Sequence, residues 1–137
     1  GVHFLGEIPY DAVATYLHVA DAFVTASTSE VHPLSLIEAL AAGIPVVGIQ
    51  SAGVEDMIRD GHNGFLCRND LAEFTARQVR LMLDDKLRVS LGERASESAQ
   101  SYDIRRTSMQ LLAHYEELLA KTDIVTPVPR RMPSFLR

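Results

Sequence analysis

The stretch Gly43-Ile44-Pro45-Val46-Val47-Gly48-Ile49-Gln50 limits what this chain can fold into more than any other. Its centre, from Pro45 to Ile49, is apolar at nearly every position and too short for a helix. An apolar run without alternation reads as a strand covered on both faces, which is the profile of a parallel sheet. Leu34 to Ala42 ahead of it reads as a helix. Pro33 suits a first helical position, Gly43 suits a left-handed stop, and Pro45 blocks continuation. A helix delivered directly into a doubly covered strand implies α/β organisation.

The rest of the chain agrees with that reading. Val2 to Leu5 reads as a strand halted by Gly6. Tyr10 to Val19 has helical apolar spacing, and Ala22 to Thr25 is β-branched and aromatic. A short helix is expected at Val54 to Arg59, a turn at Asp60 to Gly64, and a strand at Phe65 to Cys67. Asn69 or Asp70 caps a helix from Leu71 to Leu83, and a further helix runs from Asp84 to Ala99. A long amphipathic helix spans about Asp103 to Lys121, with Ile104, Met109, Leu111, Leu112, Tyr115, Leu118 and Leu119 on the side expected to be buried. Residues 122–137 carry Pro127, Pro129, Pro133 and three arginines, and read as a tail that is disordered or crosses to a neighbouring domain. The expected division is therefore one domain over residues 1–121 and a tail over 122–137. The chain opens on Gly1 inside a strand-like run, so it reads as a fragment of a longer protein.

Charge and cysteine content exclude several functions. The net charge is −5 over 137 residues, which disfavours nucleic acid as a partner. No apolar run approaches the roughly 20 residues of a membrane helix. The single cysteine, Cys67, forms no internal disulfide, which favours a reducing, cytoplasmic setting. No Cys or His spacing suggests a metal site. No Gly-x-Gly-x-x-Gly occurs, which disfavours a nicotinamide dehydrogenase. All 13 Lys and Arg residues stand at Arg59 or later. An anion held by the first half must therefore use backbone N–H groups or cations from elsewhere.

Two glutamates, Glu30 and Glu38, flank the start of the Leu34 helix eight positions apart. That start exposes the N–H groups of Leu34, Ser35 and Leu36 with about half a positive charge from the helix dipole, a ready phosphate site. Glu38 lies just over one turn along, and helical side chains lean back toward the N-terminus. A carboxylate there suits two adjacent ribose hydroxyls, since it accepts twice. Glu30 would face the far side of the diphosphate. The plainer reading of the pair, helix capping and a solvated face, stands beside this one. His32 either donates to a sugar or phosphate or sits at the N-cap. His3, His18, His62 and His114 read as packing, surface or turn residues, and Cys67 as buried and unreactive.

The ordered residues Ser27, Glu30, Pro33, Leu34, Glu38, Ala39, Leu40, Ala41, Gly43, Pro45, Val46 and Val47 resemble the donor-binding signature of the retaining GT-B glycosyltransferases of family 4, the glycosyl transferases group 1. Val2 to Gly6, Leu17 to Asp21, Gly53 to Asp56 and Asp60 to Leu66 resemble the flanking motifs, so the likeness runs from about Val2 to Tyr115. It departs at Val31 (often Gly), His32 (usually Phe), Asp56 (usually Glu) and Tyr102 (near a usual Trp).

The resemblance implies a Rossmann-like parallel sheet with flanking helices, making up most of the C-terminal, donor-binding domain. It implies transfer from a nucleotide-diphosphate sugar with retention at the anomeric carbon, without metal or other cofactor. Glu30 would be catalytic, beside the donor sugar. Glu38 would hold the ribose, and Leu34 and Ser35 the diphosphate, with Val31, His32 and Pro33 shaping the loop. Leu5, Gly6 and Glu7 would border the base. In the family, an Arg and a Lys from an earlier stretch neutralise the diphosphate. This chain lacks that stretch, so upstream strands are expected at the centre of the sheet, and the fragment alone is expected to be inactive. The acceptor, a sugar, lipid or polysaccharide, would meet a missing N-terminal domain. The likeness also admits peripheral contact with the inner face of a membrane, cell-envelope or polysaccharide biosynthesis as the setting, and self-association of the incomplete fragment. Two rival readings keep the same site: a non-catalytic nucleotide-sugar-binding module, and a GT-B-like sugar-nucleotide epimerase.

Overall fold

The computed structural model describes residues 1–121. The expected tail at 122–137 lies outside the described residues. The chain divides into two units, Gly1–Asp103 and one that begins at Ile104.

The first unit is a three-stranded parallel sheet with helices on both faces. Its elements are α1 (Tyr10–Val19), β1 (Phe23–Thr25), α2 (Leu34–Ala41), β2 (Val46–Ile49), α3 (Ala52–Glu55), β3 (Gly64–Cys67), α4 (Leu71–Leu83), α5 (Asp85–Ala99) and a 3₁₀ turn at Gln100–Tyr102. The strands lie in the order β1-β2-β3, with Phe23 opposite Val46 and Val46 opposite Gly64. All four residues of β2 are buried, as an apolar run without alternation requires. Successive side chains point to opposite faces. Val46 joins Leu36, Ala39, Leu40, Val54, Ile58 and Ala95 on one face, while Val47 joins Phe65, Cys67, Leu81 and Leu91 on the other. α5 serves both clusters, through Leu91 on one side and Ala95 on the other.

The stop after α2 follows from its sequence. Gly43 has φ +73°, Gly43 N–H donates to Leu40 O at 3.0 Å, and Ile44 N–H donates to Ala39 O at 3.3 Å. This pair of bonds is the Schellman arrangement, which only a residue at ease with positive φ closes without strain. The Gly43 carbonyl then packs on α5, where a Cβ added at Gly92 would lie 2.3 Å from it. Gly92→Ala is therefore expected to lower stability by about 1–3 kcal/mol through overpacking, although alanine is the better helix former. A thermal melt checks this. An unchanged or raised Tm would show that α2 and α5 do not approach so closely.

Asp70 and Asp84 cap α4 and α5 by accepting from Glu73 N–H at 2.8 Å and Leu87 N–H at 2.9 Å. In the turn before β3, the buried Asn63 accepts from Arg59 N–H at 2.8 Å and donates to Met57 O at 2.9 Å. The same turn closes onto β3, with Gly61 N–H donating to Gly64 O at 2.9 Å and Leu66 N–H to Asp60 Oδ1 at 3.1 Å. Among the described residues, no strand pairs with the other side of β1.

Three expectations are corrected. Val2 to Leu5 forms no strand, and Val2, Phe4 and Leu5 are exposed. An apolar run becomes a strand only when a neighbour takes its N–H and C=O groups, and none of the described strands does so. The short helix begins two residues earlier than its apolar spacing suggests, at Ala52, because Ser51 O accepts from both Val54 N–H and Glu55 N–H. The three strands are direct neighbours, and among the described residues the open edge is the outer side of β1, which leaves room there for the upstream strands expected at the centre of the whole sheet. α6 (Ile104–Lys121), described by itself, has its expected length, but Ile104, Met109, Leu111, Leu112, Tyr115, Leu118 and Leu119 are all exposed. Periodicity shows that one side of a helix is apolar, whereas burial needs a covering surface. Among the described residues, no helix is long and apolar enough to cross a membrane.

Candidate functional site

Ligands on open parallel sheets bind beyond the carboxyl ends of the strands. Here β1 ends at Thr25 and β2 at Ile49, and they are adjacent and parallel. Two connections leave that edge: residues 26–33, carrying Glu30, and Gln50-Ser51, leading into α3. A backbone bond joins them, with Gly53 N–H donating to Glu30 O at 2.9 Å.

α2 begins beyond the first connection. Its N-cap is Pro33, with φ −71° and ψ 110°, one residue outside the helix rather than at its first position. His32, the alternative capping residue, lies one step further out, and no side chain caps this end. Proline has no side-chain acceptor, so the first turn is capped only by backbone. Pro33 O accepts from Leu36 N–H at 3.1 Å and Ile37 N–H at 3.4 Å. Leu36 is thus engaged, against the sequence expectation, and the N–H groups of Leu34 and Ser35 are left at an exposed helix start.

Glu38 stands on the same helix, about 6 Å further along at 1.5 Å per residue. Its neighbours Leu36, Ala39 and Leu40 are buried in the core, which fixes the rotation of α2 and turns Glu38 toward α1. Glu38 and Ala41 line a cleft of about 390 Å³ whose opposite wall is the α1 face of Tyr10, Asp11, Ala14 and His18. Neither Glu30 nor Glu38 takes part in an ion pair among the described residues. Both are part-buried, whereas Val31 and His32 are exposed.

Glu30, Val31, His32 and Pro33 thus form the connection into α2, Leu34 and Ser35 its first turn, and of the sequence-predicted residues Glu38 is the one that lines the cleft. Leu5, Gly6 and Glu7 are exposed in an irregular lead into α1, with Gly6 at φ +66°, and they do not line the cleft. Tyr10 and Asp11 line it instead. The sequence reading passed over them, although Asp11, Ala14 and His18 share one α1 face by their spacing.

Tyr102, after α5, backs the loop. Its ring meets the His32 ring edge-to-face at 6.2 Å, and its hydroxyl donates to Asp56 O at 3.2 Å. Burial, and secondarily the Asp56 carboxylate, push the Tyr102 phenol up from its ordinary value. Cys67 is fully buried on the far face of the sheet, and its thiol is likewise pushed up, first by burial and then by Glu73. A thiol held protonated in an apolar cluster is a packing residue.

Residues 1–100 match the family model described as Glycosyl transferases group 1. N-acetyl-alpha-D-glucosaminyl L-malate synthase of Bacillus anthracis is 34% identical over 118 residues, covering 85% of this chain and 30% of that protein. Sucrose-phosphate synthase of Thermosynechococcus elongatus superposes with a TM-score of 0.80 at 25% identity, over 88% of this chain and 31% of that one. Anabaena HepE in complex with UDP-glucose superposes with a TM-score of 0.68 at 19% identity, over 77% of this chain and 30% of that one. The chain thus spans about three-tenths of the length of these relatives. A mixed α/β unit with a parallel sheet, a signature running through α2 and β2, and a family match over residues 1–100 agree: the chain belongs to the group 1 glycosyl transferases.

Proposed function

We propose that this chain is the donor-binding part of a glycosyltransferase that transfers a sugar from a nucleotide diphosphate with retention at the anomeric carbon and without a metal ion. The observation that carries this reading is the exposed start of α2, capped by a proline and flanked by two glutamates that form no ion pair among the described residues. The N–H groups of Leu34 and Ser35, with the helix dipole, meet the diphosphate charge. Glu38 accepts from the ribose hydroxyls, and its cleft against α1 takes the nucleoside side of the donor. Glu30 stands on the sugar side, catalytic in the sense that it touches the reacting sugar, with Val31, His32 and Pro33 forming the loop around it. The neighbour solved with UDP-glucose supports a nucleotide sugar as the ligand class. The acceptor belongs to the length of the relatives that this chain does not match, so the chain alone is expected to bind without turnover.

The test is titration of the ¹⁵N-labelled chain with UDP, GDP and ADP. One of the three is expected to shift the Leu34 and Ser35 amides first, with a Kd on the order of 1 mM or below, that is about −4 kcal/mol or better. Shifts confined to other parts of the chain, or none at several millimolar, would refute the assignment.

A further inference from the structure

The loop bearing Glu30 contains no helix or strand, so something outside it must set the position of that carboxylate. Gly53 is the point of contact. Its N–H donates to Glu30 O at 2.9 Å. A Cβ added there would lie 2.3 Å from both the carbonyl carbon and oxygen of Val31, and 2.9 Å from Glu30 O. These are backbone atoms, which cannot swing aside as a side chain would. Gly53 and Val54 themselves are buried. Beside them, Ser51 Oγ is buried with no hydrogen-bond partner among the described residues. At the other end of α3, the Tyr102 hydroxyl holds Asp56 O while its ring backs His32. α3 is thus tied at one end to the backbone of Glu30 and at the other to the residue behind His32.

We propose that Gly53 is a positioning residue for Glu30: by admitting the loop against α3 with no intervening side chain, it sets where the donor sugar is met, while the nucleotide is held independently by α2. This inference rests on the donor-site reading above. It separates two parts of one ligand. The diphosphate and ribose belong to Leu34, Ser35 and Glu38, which do not touch α3 through Gly53. The sugar belongs to Glu30, which does.

The probes are UDP and UDP-glucose, titrated against the chain and its Gly53→Ala and Glu30→Ala variants, with a thermal melt of each. The unchanged chain is expected to bind UDP-glucose roughly five-fold more tightly than UDP, the worth of one hydrogen bond. Both variants are expected to lose that advantage and to keep the UDP affinity within about two-fold, and the double variant to lose nothing further, as coupled residues do. If Gly53→Ala does not fold, Tyr102→Phe decides, since it frees Asp56 O without adding volume; a reduced UDP-glucose advantage with UDP unchanged supports the inference. An advantage that survives in the folded Gly53→Ala or in Tyr102→Phe, one absent from the unchanged chain, or equal loss for both ligands overturns it. Failure of the unchanged chain to bind UDP, GDP and ADP would refute the donor-site reading itself, a different result.

Discussion

Glu38→Ala is expected to weaken nucleotide diphosphate binding by at least ten-fold and to leave the fold intact. Hydrogen bonds to a charged group contribute about 1.5–3 kcal/mol each, and every 1.4 kcal/mol is a factor of ten. One retained ribose hydrogen bond already gives ten-fold, and two adjacent hydroxyls give more. The part exposure of Glu38 keeps the expectation near the lower end. The structural cost is small, because the side chain forms no ion pair among the described residues and alanine favours a helix. Glu38→Gln retains one carbonyl acceptor and should fall between the two. The decisive control is 2′-deoxy-UDP, whose affinity should fall less than that of UDP in Glu38→Ala. Equal binding of UDP by the unchanged chain and the variant would remove Glu38 from the site.

The second large effect concerns stability. Phe65 is 1% exposed, lies opposite Val47 in register, and packs with Cys67, Leu81 and Leu91. The Arg77 and Arg80 guanidinium groups sit 4.7 and 5.4 Å from the ring centroid, closing the face that the apolar residues leave open. Phe65→Ala removes the ring from a cluster of five buried residues, and is expected to cost about 3–5 kcal/mol. With an m-value of about 1–3 kcal/mol/M in urea, the midpoint should fall by more than about 1 M. Phe65→Leu should cost less, since it refills most of the volume and loses mainly the cation–π contacts, about 0.5–1 kcal/mol each. A loss under about 1 kcal/mol for Phe65→Ala would show that this face of the sheet is loosely packed.

The legible parts of the fold were those that local chemistry dictates. Gly43 and Pro45 stop α2 where they stand, because φ +73° and a missing N–H are properties of single residues. Asp70 caps α4 for the same reason. The unbroken apolar run of β2 announced a strand covered on both faces, and the structure buries it so. The residues Glu30 to Glu38 were legible as a candidate site because a helix start with acids on either side is a one-dimensional pattern. The N–H groups themselves were only partly legible, since Leu36 turns back to Pro33 O.

What the sequence by itself determined was the alternation of strand and helix, the stop after α2, the buried character of β2 and the family signature. Each depends on neighbours in the chain or on the period of apolar residues. Only the tertiary structure decided that Val2 to Leu5 is not a strand, that the apolar side of α6 is exposed, and that the open sheet edge belongs to β1. It also decided that α1 supplies Tyr10 and Asp11 to the cleft beside Glu38, and that Gly53 supports Glu30 from 23 residues away. The physical reason is common to all of these. Strand pairing, burial and backbone contact are properties of two surfaces meeting, and a sequence read along its length shows one surface at a time.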